Sequence, residues 1–411
     1  MNFLDAIRSQ VIVLDGAMGT MIQDLDLTDQ DFGGGDFRML GDLLSFSNPE
    51  SIEDIHFRYY QSGANGVETN TFGASPFRLS EYDFSTLDLG KFKALPEGLD
   101  INSASYEALA YALSKTGAEL AVKARERYRG SEEYDGRPLF VIGSIGPSNR
   151  VLSKTSADLR LSTFDEVEDN FYHQVLGLID GGADVLLYET QQDILEVKAA
   201  VMGGRKALRE RGATLPIMVQ VTVDEFSKMQ IFNTDIHAAL VTCQGIGIDA
   251  FGINCSIGPD LMEKTVEILS KYSPLPISVV PNAGLPVSEN GQTVYKYTPD
   301  MLAEHLVRFV TEYGVSVVGG CCGTGPEHIE AVSARVKGLS PGAREIDTTA
   351  YLSGPQEAVR LDSSEALIRV GERLNVRGSL KVREAVEGEG EIDQEVLEEV
   401  VNEQLRDLGI T

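Results

Sequence analysis

Three of the four cysteines in this 411-residue chain stand in two glycine-flanked settings whose chemistry can be read directly. Cys255 lies in Gly252-Ile253-Asn254-Cys255-Ser256-Ile257-Gly258-Pro259, and Cys321 and Cys322 lie in Gly319-Gly320-Cys321-Cys322-Gly323-Thr324. Each setting follows a short β-branched or aromatic run, at 248–253 and 315–318, so each is expected where a strand ends. Three thiolates with one open position is the donor count of a catalytic zinc, because a structural zinc closes its tetrahedron with four protein ligands. Soft sulfur also favours zinc over magnesium or calcium. An incoming thiol can fill the fourth position and lose its proton on arrival. Two plainer readings stay open: buried cysteines that merely pack, and a disulfide to Cys255. Four cysteines in so long a chain are no disulfide scaffold, however. The flanking glycines, which let backbone and ligand approach closely, favour the metal. Cys243, in the helix-like stretch Ala238-Ala239-Leu240-Val241-Thr242-Cys243, reads as packing.

An internal repeat supplies the elements that must position these thiols. Glycine, a small or apolar residue, a polar residue and then an apolar run recur at Gly63-Ala64-Asn65-Gly66-Val67, Gly182-Ala183-Asp184-Val185-Leu186, Gly247-Ile248-Asp249-Ala250-Phe251 and Gly314-Val315-Ser316-Val317-Val318. Each copy reads as a helix-ending glycine that feeds a buried strand. Proline introduces three further runs, at Pro138, Pro216 and Pro276, and Val11-Ile12-Val13-Leu14 makes an eighth strand. Helical intervals lie between them. Thr163 and Glu166 form a capping box, with Phe164, Val167, Phe171, Val175 and Leu178 following at helical spacing. Eight alternations of strand and helix predict a (β/α)₈ barrel over residues 1–340. A doubly wound sheet is the runner-up, disfavoured because no Gly-x-Gly-x-x-Gly follows the first strand. Residues 341–366 read as a linker, and 367–411, with a strand at 366–370 and an acidic helix at 392–408, as the incomplete beginning of a second α/β domain. Glycine- and aspartate-rich insertions at 29–43 and 83–102 are expected to cover the site.

Composition narrows the partners. With 63 acidic against 35 basic residues the formal charge is −28, which argues against nucleic acids and anionic membrane surfaces. The first residues lack a basic stretch followed by an apolar one, and no apolar run approaches spanning length. A reducing cytoplasm is expected.

In a barrel of this kind chemistry sits at the C-terminal ends of the strands. Those ends carry Asp15 and Gly16, Asn70, Ser144, Glu189 and the three cysteines, and they carry no lysine for Schiff-base chemistry. A metal on one side and the carboxylates Asp15 and Glu189 on the other suit a substrate with both a thiol and an ammonium group. Each carboxylate also has a plain reading: Asp15 as a turn cap, Glu189 as the partner of an arginine.

Taken in order, Asp15-Gly16-Ala17-Met18-Gly19-Thr20, Asn70-Thr71-Phe72-Gly73-Ala74, Gly143-Ser144-Ile145-Gly146-Pro147, Glu189-Thr190 and the two cysteine motifs resemble the homocysteine S-methyltransferase domain over roughly residues 1–340. The resemblance implies that Cys255, Cys321 and Cys322 bind a Zn²⁺ that takes up the homocysteine thiol, with no catalytic side chain beyond that activated sulfur. It makes Asp15, Gly16, Asn70, Ser144 and Glu189 the candidate substrate contacts. Methyl donors in this family are methylcobalamin, betaine and S-methylmethionine. Gly371-Glu372-Arg373-Leu374-Asn375-Val376-Arg377-Gly378-Ser379 is similar to the opening of the pterin-binding domain of cobalamin-dependent methionine synthases, with Asn375 at a pterin-contacting position. That similarity implies methylcobalamin as the donor, supplied by another domain, with cobalamin- and folate-binding domains in cis or in trans as partners. The rival reading is a zinc-stabilised barrel that docks partners without catalysis.

Overall fold

The computed structural model describes residues 1–93, 95–152, 160–289, 292–361, 379–387 and 392–407. Eight parallel strands form one sheet: β1 (Ile12–Val13), β2 (Gly66–Glu68), β3 (Phe140–Ile145), β4 (Val185–Gln191), β5 (Ile217–Val221), β6 (Ala250–Asn254), β7 (Ile277–Val280) and β8 (Val317–Val318). Neighbours in sequence pair in space, β8 returns to β1, and a parallel bridge between Leu14 and Gly66 joins β1 to β2. The sheet is thereby a (β/α)₈ barrel, as the repeat predicts. The outer helices are α2 (Pro49–Gln61), α3 (Tyr106–Arg129), α4 (Phe164–Gly181), α5 (Ile194–Arg211), α6 (Ile236–Ile246), α7 (Pro259–Tyr272), α8 (Pro299–Tyr313) and α9 (Pro326–Val336), and α1 (Phe3–Ser9) precedes β1.

The repeat now has a physical cause at each position. Its glycines end helices with positive φ, +93° at Gly182, +75° at Gly247 and +68° at Gly314, where a side chain would be strained. Its polar residue starts the strand ladder. The side chains of Asn65, Asp184 and Asp249 accept the backbone N–H of Val13, Val141 and Ile217, each tying the start of one strand to the strand beside it, β1, β3 and β5, at 2.7–3.0 Å. Buried N–H groups left without such partners would each cost about 1–3 kcal/mol. The Thr163–Glu166 capping box opens α4 as expected.

Side chains inside the cylinder alternate with those facing the helices. The interior is apolar at the N-terminal ends, where Ile12, Phe140, Val185, Met218 and Ala250 meet, and α1 plugs it with Phe3, Ala6 and Ile7. Two or four residues further along β3, β4, β5 and β6 the same inward register reaches Ser144, Glu189, Gln220 and Asn254. An apolar floor under a polar mouth is the result. The described parts of the insertions at 29–43 and 83–102 form short 3₁₀ turns that pack on each other, with the Phe37 and Phe84 rings 5.5 Å apart and Asp88 N–H donating to Gly33 O at 2.9 Å.

The chain divides into two units, the first being Met1–Thr348 with Ser353–Ala358 and the second Thr349–Leu352 with Val359–Thr411. In the first unit the segment after α9 lies against the barrel. Arg344 donates to Ser273 O and Leu275 O, and Gln356 O accepts from Asp235 N–H. In the second unit the helices Leu380–Glu387 and Gln394–Asp407 are joined by a Lys381–Glu399 ion pair of 2.9 Å. The expected strand at 366–370 and the stretch 371–378 with Asn375 lie outside the described residues. Among the described residues no helix is long and apolar enough to cross a membrane.

Phe3 is buried and meets Phe140 edge-on at 5.3 Å, so Phe3→Ala opens a cavity in the barrel floor. A loss of about 3 kcal/mol is expected, within the usual range for Phe→Ala in a core. Denaturant unfolding measures it, and the thiol site at the opposite end should keep its metal affinity.

Candidate metal and substrate site

Cys255 leaves β6 in an unusual backbone state. Its φ is +60° and that of Ser256 is +65°, conformations that cost a non-glycine residue on the order of 1–3 kcal/mol and persist where neighbours enforce them. The neighbours here are Val280 O, which accepts Cys255 N–H at 3.0 Å, and Cys255 O, which accepts Ile257 N–H at 2.8 Å. Cys321 and Cys322 leave β8 beside the same strand β7: Cys321 N–H donates to Pro281 O at 2.8 Å, and Cys322 N–H to Asn282 Oδ1 at 3.1 Å. Thr324 folds the turn back by donating its hydroxyl to Cys321 O at 2.6 Å.

These bonds bring the three sulfurs within 4.8 Å of one another, with Cys255 Sγ and Cys322 Sγ 3.8 Å apart. A tetrahedral zinc with bonds of about 2.3 Å sets its sulfurs about 3.8 Å apart, so the donors fit that ion in type and spacing. The electrostatics agree. Hydrogen bonds from Cys255 and then Cys321 hold Cys322 down at about 3, whereas hydrogen bonds with Cys255 and then Cys322 push Cys321 well above an ordinary thiol. Three adjacent sulfurs ionise together only if a cation shares their charge. Cys243 is buried on α6, away from this cluster.

Carboxyl groups gather across the same mouth. Asp15 is 2% exposed and accepts the Glu68 N–H with both oxygens, at 3.0 and 3.1 Å. Glu189 is 6% exposed; it accepts the Ser144 hydroxyl, and Asn254 Nδ2 lies 3.5 Å from its other oxygen. Burial is the main force on both, raising Asp15 well above the usual range and Glu189 to about 7. Glu68, from β2, is raised by burial and then by Glu189 and Asp15. Among the described residues no arginine or lysine pairs with any of the three, so the plain reading of Glu189 as an arginine partner does not hold.

The sequence-derived candidates fall as follows. Asp15, Ser144 and Glu189 converge. Gly16 sits beside Asp15 where a Cβ would come within 3.0 Å of Thr324 and the Tyr59 ring, so only glycine fits. Asn70 faces the rim, its amide nitrogen engaged by Gly41 O at 2.9 Å and Ser45 Oγ at 3.3 Å, which fastens the first insertion. Sequence reasoning passed over Glu68, Asn254 and Asn282. Asn254 joins the two halves of the mouth, because its side chain accepts Thr190 N–H at 2.8 Å and donates to Thr190 Oγ1 at 2.9 Å. The inward period of β2 and β6 would have pointed to Glu68 and Asn254; nothing local singles out Asn282.

Known proteins resemble this chain in sequence and in fold. The family pattern described as homocysteine S-methyltransferase matches residues 12–336. A methionine synthase of Mycobacterium tuberculosis is 35% identical over 99% of this chain, and one of Mycobacterium leprae 36% identical over 94%. The chain spans about a third of their length, 31% and 30%. Among solved structures, the homocysteine methyltransferase MmuM from Escherichia coli in its metallated form is 26% identical with a TM-score of 0.59, over 79% of this chain and 96% of that one. Its oxidized form is 25% identical with a TM-score of 0.59, over 82% and 100%. With the family pattern running from the first barrel strand to the last helix, and the cysteine and carboxylate ends in its mouth, this chain belongs to the homocysteine S-methyltransferase family.

Proposed function

We propose that this barrel performs the homocysteine half of a methyl transfer: a methyl group passes to the homocysteine thiol and methionine leaves. The observation that carries this reading is the pairing of three converging sulfurs with the buried carboxyls of Asp15 and Glu189 and the half-buried Glu68 across one mouth. Cys255, Cys321 and Cys322 would hold the zinc. When bound, that ion replaces the thiol proton as counter-charge and keeps the substrate sulfur nucleophilic at neutral pH, where a free thiol with pKa ~8.5 is mostly protonated.

The chain's own residues place the rest of the substrate. Glu189, oriented by Ser144, and Asp15, held by the Glu68 N–H, face the position of the α-ammonium, whose positive charge offsets carboxylates that otherwise repel one another. Gly16 leaves room beside Asp15. Asn70 keeps the rim in place, and Asn254 fixes the distance between the carboxyl side and the sulfur side. The transfer forms one S–C bond and breaks the donor's bond to the same carbon; the electron pair leaves with the donor, and the thiol proton goes to solvent.

Methylcobalamin carried by another domain is the donor we favour over betaine or S-methylmethionine. The methionine synthase relatives align over almost the whole chain, beyond the barrel, whereas the metallated MmuM structure covers 79% of it. On this reading residues 367–411 open a second, pterin-binding domain to which Asn375 belongs, 341–366 are its linker, and the work is done in the cytoplasm.

Two outcomes test the proposal. Purified protein should hold about one zinc, and alanine at Cys255, Cys321 or Cys322 should release it and abolish calorimetric homocysteine binding, while Cys243→Ala keeps both. Chelation should do the same and leave the far-ultraviolet circular dichroism intact, because the barrel core lies beneath the site.

The second outcome concerns pH. Glu189 binds its proton more tightly folded than unfolded, so the folded state carries the extra proton between about 4.5 and 7 and loses stability as pH rises through that window. That shift corresponds to about 3 kcal/mol. Thermal melts of metal-free Glu189→Gln should show a shallower decline between pH 5 and 8 than the parent, together with at least tenfold weaker homocysteine binding by the loaded protein.

A further inference from the structure

Strand β4 ends in a bulge that brings two successive residues to the mouth. Its pairing with β5 runs in step up to Tyr188 and Val219, then resumes at Gln191 and Val221. Three steps along β4 thus match two along β5, and the extra residue falls at Glu189–Thr190. Thr190 has φ at +58°, a left-handed state that a β-branched residue rarely takes. Strict alternation would turn Thr190 away from the interior, where Glu189 points. The bulge instead carries its hydroxyl to Asn254, which stands on β6, beyond β5. That contact is double: Thr190 N–H donates to Asn254 Oδ1 at 2.8 Å, and Asn254 Nδ2 donates to Thr190 Oγ1 at 2.9 Å. The same amide nitrogen also donates to Glu189 Oε2, at 3.5 Å. Asn254 is 1% exposed, so water does not compete for it.

We infer that Thr190 is a positioning residue for the ammonium end of the substrate: it clamps the Asn254 amide in the one orientation that presents a donor to the Glu189 carboxylate. A flipped amide would set its oxygen against that carboxylate and its nitrogen against the Thr190 N–H, two repulsions in place of two hydrogen bonds. Ser144 already holds the other Glu189 oxygen, so the clamp completes a carboxylate that is fixed on both sides. A carboxylate ordered in advance loses no rotamer freedom when the ammonium arrives. Glycine would take this backbone state without strain, but only a hydroxyl supplies the acceptor that the amide needs. This inference rests on the reading of Glu189 as the ammonium partner.

Thr190→Gly and Thr190→Ser test it with two thiols as probes, homocysteine and 4-mercaptobutanoate, which differs only in lacking the amino group. In zinc-loaded Thr190→Gly, calorimetric homocysteine affinity should fall about tenfold, the order of effect of one hydrogen bond to a charged group. Affinity for 4-mercaptobutanoate should stay level. Thr190→Ser keeps the acceptor and should bind both thiols as the parent does. The melting temperature of metal-free Thr190→Gly should not fall, because glycine adopts the left-handed state freely. A threonine that served stability alone would lower it and weaken both thiols alike. Equal loss for the two thiols, or none for homocysteine, would overturn the inference. A parent that binds the two thiols equally would instead overturn the ammonium reading of Glu189. The crystal structure of Thr190→Gly would then decide the role of Thr190: an Asn254 amide turned away from Glu189 supports it, and one left in place overturns it.

Discussion

The site depends on a strand that contributes none of the three cysteines. β7 lies between β6 and β8; its last residue takes the backbone N–H of Cys255 at Val280 O, and the residue after it takes that of Cys321 at Pro281 O. The side chain of Asn282 takes that of Cys322. Two motifs 67 residues apart along the chain, counted between Cys255 and Cys322, are thereby fixed within sulfur–sulfur contact. The left-handed backbone at Cys255 is the visible strain of that arrangement, and the closed parallel ladder on either side supplies the rigidity that sustains it. Sites set on barrel strands hold such geometry better than free loops do.

The second physical theme is charge that the protein's own side chains leave unbalanced. Asp15 and Glu189 are buried with the half-buried Glu68 beside them, without a cationic partner among the described residues, and the sulfurs opposite share one low-pKa thiol between them. Such perturbed groups cluster at functional sites because the energy that a stable core would avoid is recovered on binding. An amino acid with a thiol side chain carries the two features that this mouth lacks, a positive charge for the carboxyl side and a sulfur donor for the metal side.

Much of this was legible in the sequence, for local reasons. The glycine-small-polar repeat encodes helix ends and strand starts, since a positive φ and a side-chain acceptor for the next strand's N–H are both short-range needs. The cysteine motifs and the carboxylates at strand ends follow once the strands are counted. Asn70 shows where local reading stops: its amide is taken by Gly41 and Ser45, contacts that depend on how a distant insertion folds back. Asn282 escaped for the same reason, since its partner Cys322 is 40 residues further on and comes near only when the barrel closes.

The central claim is that three sulfurs hold a metal whose remaining position receives the substrate sulfur. Zinc K-edge X-ray absorption on the purified protein, before and after homocysteine, tests it most directly. The account predicts a shell of three sulfurs and one lighter atom that becomes four sulfurs at about 2.3 Å when homocysteine is added. A shell that stays the same in the presence of bound homocysteine, or that already holds four protein donors without it, would contradict the account and leave a closed structural site.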